Sequence, residues 1–223
     1  MAETALGGVE AVSPKASTRL PALTMMLGNF VVGVAILGPA GMLAELASGL
    51  SVSIRDAGLL MTFGAVVLCL GSPLMAWATT VIDRRKLLAT TLGIIALGHA
   101  ASAFAPDYKT LLVVRLVMLA FAAIYTPQAA STIALIVPER DRAKAISFVF
   151  LGWSLSLAIG LPLVTFIADN VGWRATCGAI AIAAAIAAML HVSIPCAVGA
   201  RSRATASCCC SSQLRPLGCP VSS

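Results

Sequence analysis

The sequence predicts an all-α membrane protein in which six transmembrane helices form one bundle. Three observations carry that reading. Of 223 residues, 59% are hydrophobic and 11% charged, with a mean hydropathy of +0.97, against about 25% charged residues in an ordinary soluble domain. The apolar text falls into six runs, approximately 20–47, 57–82, 87–105, 110–137, 145–168 and 175–194, each close to the roughly 20 residues that cross a 30 Å hydrocarbon core as a helix. None alternates with a period of two as barrel strands do, so each segment must satisfy its own backbone by helical bonding.

The first run follows Lys15 and Arg19 and is preceded by Glu3 and Glu10. It is too long for a signal-peptide core and reads as an uncleaved anchor. The second ends at Asp83-Arg84-Arg85-Lys86, from which the third begins. The fourth encloses one cation, Arg115, and the fifth starts beyond Arg140, Arg142 and Lys144. The sixth follows Gly172-Trp173-Arg174, an interfacial anchor. Residues 1–19 therefore read as a cytoplasmic segment, 20–195 as the bundle and 196–223 as a disordered cytoplasmic tail.

Threading the chain through six spans puts eleven Lys and Arg residues on the side of both termini and three, Arg55, Lys109 and Arg174, on the other. Basic loops stay inside, so both termini are expected in the cytoplasm of a plasma membrane, the inner membrane of a bacterium. The formal charge of +6 could point to nucleic acid, but no basic-aromatic patch accompanies it. Anionic lipid headgroups are the expected partner.

Cysteine usage gives no disulfide framework, since Cys69 and Cys177 are isolated in spans and the other five crowd the tail. The tail lacks the paired Cys and His spacing that zinc needs, so neither metal nor cofactor is expected. The abrupt change to Ser, Arg and Cys after Pro195 also resembles out-of-frame translation of a GC-rich gene, which makes a truncated product the alternative to a disordered tail. An open frame carrying further apolar spans downstream of Pro195 would support truncation.

Three of the eleven prolines recur at offsets within one residue of each other: Pro39 and Pro127 are 88 apart, while Pro73 and Pro162, and Pro106 and Pro195, are 89 apart. Three spans separate the copies, so two three-helix repeats of inverted topology are expected. A proline within a span also frees a backbone carbonyl and bends the helix.

Between the second and third spans the sequence reads Gly71-Ser-Pro73-Leu-Met-Ala-Trp77-Ala-Thr-Thr80-Val-Ile-Asp83-Arg84-Arg85-Lys86. This resembles the signature loop G-x-L-a-D-r-x-G-r-k of the major facilitator superfamily, with the basic cluster in register; Thr80 stands at the family's Asp and Ala76 at its leading Gly. The fourth span, from Tyr108 through Arg115 to Tyr125-Thr-Pro127-Gln128, resembles the same span of drug and sugar exporters, with Met118 and Leu119 at the family's Gln and Gly. Gly152-Trp153-Ser-Leu-Ser-Leu-Ala-Ile-Gly160-Leu-Pro162 resembles the antiporter signature g-x-x-x-G-P-x-x-G-G, with one residue inserted between Gly160 and Pro162.

The resemblance covers residues 20–195 and implies a transporter of twelve spans in two six-helix bundles that rock about a midplane site. Only the amino-terminal bundle is present. Its implied roles are Asn29, Arg115 and Gln128 along the solute path and Asp83, Arg84, Arg85, Gly152, Gly160 and Pro162 in gating and pivoting.

Each role has a structural competitor. Arg115 could snorkel to the interface, the basic loop could serve topology alone, the two glycines could simply allow close packing, and Asn29 could tie two helices together. His99 and His191 read as structural. No carboxylate lies deep in any span and no cluster could supply a general acid and base, so proton coupling finds no support and the protein does not read as an enzyme. The expected function is export of a small solute such as a drug or sugar, with a second six-helix half or a second copy as partner. The competing reading is a truncated, non-transporting fragment or structural partner.

Overall fold

The apolar runs fold as helices, four of them as a single helix and the first and fifth in more than one segment. The computed structural model describes residues 16–78 and 83–193. Residues 1–19 up to Lys15, Thr80, Pro195 and the tail cysteines lie outside the described residues. Every regular element described is helical: α1 (Ala16–Gly41), α2 (Leu43–Gly49), α3 (Ile54–Ala78), α4 (Arg84–Ala103), α5 (Tyr108–Ile136), α6 (Arg142–Leu155), α7 (Leu161–Val171) and α8 (Trp173–Ser193), with a 3-10 turn at Glu139–Asp141 and a π turn at Ser156–Gly160. Six continuous segments are long and apolar enough to cross a membrane. The spans, in order, are α1, α3, α4, α5, α6 with α7, and α8.

The first run does not make one helix. It stops at Gly41, whose carbonyl accepts a bond from Thr165 Oγ1 of the fifth span at 2.9 Å, and continues as the short α2. The fifth run is also subdivided. Pro162 has no amide to offer Ala158, and just before it the helix widens, with Leu161 N donating to Ser156 O across five residues. A π turn absorbs one extra residue within a helix. This is the structural counterpart of the residue inserted between Gly160 and Pro162.

The packing follows the predicted repeat. The first span lies along the fifth, the second along the fourth, and the third along the sixth; the first also packs on the sixth and the third on the fourth. Exchanging the two triplets maps the first-fifth contact onto the fourth-second contact, which is the pattern of two inverted three-helix repeats. The first span forms the centre, 56% buried over its apolar window, whereas the second and fifth are only 22% buried. Leu59, Phe63, Val66 and Leu70 on the second, and Leu157, Ile159, Leu163 and Phe166 on the fifth, face outward. Such apolar faces suit lipid or another helix.

Candidate functional site

Polar side chains inside the bundle gather at three depths. The first lies toward the face remote from the termini, about 10 Å along α5 from Tyr108 at 1.5 Å per residue. Pro39 deprives the Ala35 carbonyl of its helical donor, and the guanidinium of Arg115 replaces it. Arg115 Nη1 and Nη2 each lie 3.4 Å from Ala35 O, and Nη2 donates to Ile36 O at 2.6 Å. Arg115 is 4% exposed, so it points into the protein and does not snorkel. His99 of the third span, 1% exposed, and Cys177 of the sixth, 2% exposed, are buried polar groups of the same bundle.

At mid-depth, Asn29 is completely buried. Its Nδ2 donates to Val149 O of the fifth span at 3.1 Å, and its Oδ1 accepts from Thr126 Oγ1 of the fourth at 2.8 Å. One side chain thus fastens three spans. Just beside it the first and fifth spans approach backbone to backbone. A Cβ on Gly152 would collide with Met26 O and Phe30 N, and one on Gly160 with the Val34 side chain. Here glycine is required because there is no room for a side chain. Pro162 itself is exposed and Gln128 is half-buried; the Gln128 carbonyl accepts from Thr132 Oγ1 at 2.6 Å and Ser131 Oγ at 3.1 Å.

The third group lies toward the termini. Tyr125 Oη is 2.9 Å from His191 Nε2, and His191 Nδ1 is 2.8 Å from the Ala187 carbonyl. A carbonyl only accepts, so Nδ1 carries the proton, and in the neutral ring Nε2 accepts from Tyr125. Gly28 leaves the space that the phenol fills. Asp83 caps the third span, accepting from Arg85 N at 3.2 Å. Arg84 Nη1 donates to Ser131 Oγ on the fourth span at 2.6 Å. Arg85 reaches the last turn of the sixth, where Nε donates to His191 O at 3.2 Å and Nη2 to Val192 O. The basic loop therefore clamps three spans at one end, beyond any part it plays in topology.

Among the expected site residues, the fold brings Arg115 to the Ala35 carbonyl that Pro39 leaves free, Asn29 to the crossing near Gly152, and Arg84 and Arg85 to the ends of the fourth and sixth spans. It does not gather Asn29, Arg115 and Gln128 around one point. Thr126, Tyr125 and Ser131 do not stand out as partners in the sequence; a hydroxyl within apolar text is the signal that could find them, since it needs a partner in lipid.

Comparison with known proteins is consistent with this architecture. The sequence profile described as Major Facilitator Superfamily matches residues 25–205. The chain is 33% identical over 154 residues to the inner membrane transport protein YdhP of Escherichia coli K12, covering 69% of this chain and 40% of that protein. It is 31% identical over 173 residues to a probable sugar efflux transporter of Mannheimia succiniciproducens, covering 77% and 43%. The fold matches the xylose transporter XylE of E. coli in a partially occluded inward-open conformation, with TM-score 0.66 at 17% identity over 81% of this chain and 50% of that one. The chain thus spans about two fifths of the length of those curated relatives.

Proposed function

This chain belongs to the major facilitator superfamily, and we propose that it acts as the amino-terminal half of a solute transporter working by alternating access, in the direction of efflux. The observation that carries the reading is the six-span bundle of two inverted repeats with a matching family profile. The proposed site is a bacterial inner membrane with both termini cytoplasmic, which the excess of basic residues on the terminal side supports. The proposed cargo is a small polar solute of the sugar or drug class, in keeping with the names of the relatives.

Of the three path residues, Gln128 is half-buried while Asn29 and Arg115 are buried, so direct solute contact is assigned to it. Asn29 and Arg115 set the positions of the helices that surround the path. Gly152, Gly160 and Pro162 supply the pivot at the first-fifth crossing, and Asp83, Arg84 and Arg85 hold the terminal side closed by clamping the fourth and sixth spans. A central cavity needs a second bundle, and the outward apolar faces of the second and fifth spans suit a partner half or a second copy.

Flux of labelled sugars and cationic dyes would be measured in vesicles containing the full chain, alone and with a co-expressed carboxy-terminal half. Solute-dependent flux in either arm that falls at least tenfold in Gln128→Ala supports the reading. Absence of flux in both arms, with the bundle folded, favours the non-transporting alternative.

A further inference from the structure

Toward the termini, one phenol stands between two acceptors. Tyr125 Oη lies 2.9 Å from His191 Nε2 and 3.5 Å from the carbonyl of Met25, but a phenol has one proton to give. With His191 Nδ1–H on the Ala187 carbonyl at 2.8 Å, that proton goes to Nε2. A proton added at Nε2 reverses the bond: Nε2–H donates to Tyr125 Oη, and the phenol turns its own proton to Met25 O. The neutral and the cationic ring are thus both bonded at both nitrogens without a change of neighbours.

The surroundings of the ring divide over a positive charge. His191 lies in the last turn of α8, where the negative end of the helix dipole favours an imidazolium. Against the charge stand burial and Arg85 of the third span, whose Nε donates to His191 O at 3.2 Å and whose Nη2 donates to Val192 O. Two cations on one helix end repel, so each weakens the hold of the other. Asp83, Arg84 and Lys86 share the start of the third span with Arg85. The fourth span presents Tyr125, and its Arg115 lies about 15 Å further along the helix. The first presents Met25 and Gly28, neither of which titrates, and its next charged residue toward the terminus is Arg19. α2 and α7, with Glu45 and Asp169, adjoin the sixth span at its opposite end.

We propose that His191 is a proton-operated joint: a proton taken at Nε2 from water on the terminal side reverses the bond to Tyr125 and loosens the grip of Arg85 on the end of the sixth span. The ring is 7% exposed and α8 ends at Ser193, so the proton has a short way to travel. Acidification on the terminal side then opens the clamp that joins the third span to the sixth. The inference deepens the reading of Arg85 as a clamp, and its test reads protonation and helix protection; a chain that carries no solute leaves it standing.

The test uses the full chain in phosphatidylcholine vesicles. The chain holds two histidines, so labelling histidine alone with nitrogen-15 gives two rings in the magnetic resonance spectrum, and His191→Phe or His99→Phe identifies each. From about pH 8 to about pH 5, the range of an ordinary imidazole, His191 Nε2 should move from the unprotonated to the protonated position while Nδ1 stays protonated. Over the same range hydrogen-exchange protection, corrected for the intrinsic rate, should fall by about threefold or more in the last turn of α8. His191→Phe should remove that fall. Arg85→Gln should begin with low protection that acid lowers no further, and Arg85→Lys, which keeps the charge, should retain the fall. Should His191→Phe not fold, the two Arg85 variants decide. An Nε2 that stays unprotonated throughout in the folded chain, protonation with no loss of protection, or an undiminished fall in His191→Phe or Arg85→Gln would overturn the proposal.

Discussion

The guanidinium of Arg115 sits on the carbonyl of Ala35, eighty residues earlier, which Pro39 leaves without a helical donor. A helix defect and a buried cation, each unfavourable alone in lipid, cancel part of one another's cost. The pair is therefore thermodynamically coupled. Arg115→Gln should destabilise the bundle by about 2 kcal/mol, the range of bonds to charged groups. Pro39→Ala restores an amide to Ala35 and should make the same arginine change less costly by at least 0.5 kcal/mol, on the order of coupling seen for contacting residues. Unfolding of the two single variants and the double variant in nanodiscs checks this, and strict additivity would refute the coupling.

Gly152→Ala should be among the most damaging small substitutions, because its methyl would meet the backbone of Met26 and Phe30. Overpacking of this kind costs about 1–3 kcal/mol. Gly178→Ala, in the sixth span with nothing near the added carbon, should be neutral or stabilising by up to about 1 kcal/mol. Comparing the unfolding midpoints of the two variants separates close packing from a general intolerance of alanine.

Asn29 should behave as a structural fastener whose effect is shared with Thr126. Asn29→Leu is expected to cost about 1 kcal/mol, and Thr126→Val less, since Asn29 retains its bond to Val149. The double variant should cost little more than Asn29→Leu alone. Full additivity in a double-mutant cycle would show that the two side chains act independently.

Removing the Tyr125 hydroxyl leaves His191 Nε2 without its donor. Tyr125→Phe should lower stability by about 1 kcal/mol, and Gly28→Ala should lower it more, because the added methyl enters the space of the phenol and of the His191 ring. Hydrogen exchange should then rise at the terminal-side ends of the fourth and sixth spans and leave the remote ends unchanged. A uniform rise along both helices would contradict a local role.

The spans were legible because hydropathy is a local, additive property that survives without knowledge of neighbours. The repeat was legible because Pro39, Pro127, Pro73 and Pro162 are rare punctuation in apolar text. The π turn was foreshadowed by one residue too many before Pro162, although spacing alone could not say that the helix would widen there. Arg115 and Pro39 each stood out singly. Their meeting did not, because pairing between helices leaves no periodic trace along the chain. His191 reads as structural in the sequence, and its bonding to Tyr125 and Ala187 shows what that role consists of. Arg84 and Arg85 stand out in the signature loop, but their acceptors on the fourth and sixth spans are hydroxyl and carbonyl groups that no charge pattern reveals.

The extensive contacts of this bundle run between its triplets: first with fifth, second with fourth, third with sixth. Synthesis proceeds from the amino terminus, so the three helices made first enter the bilayer while their principal neighbours are still untranslated. They must be held there, by lipid or by the insertion apparatus, until the fourth, fifth and sixth arrive. Assembly is thus a late event in biogenesis, and a ribosome stalled after the third helix would release a segment with little of its own tertiary structure to keep.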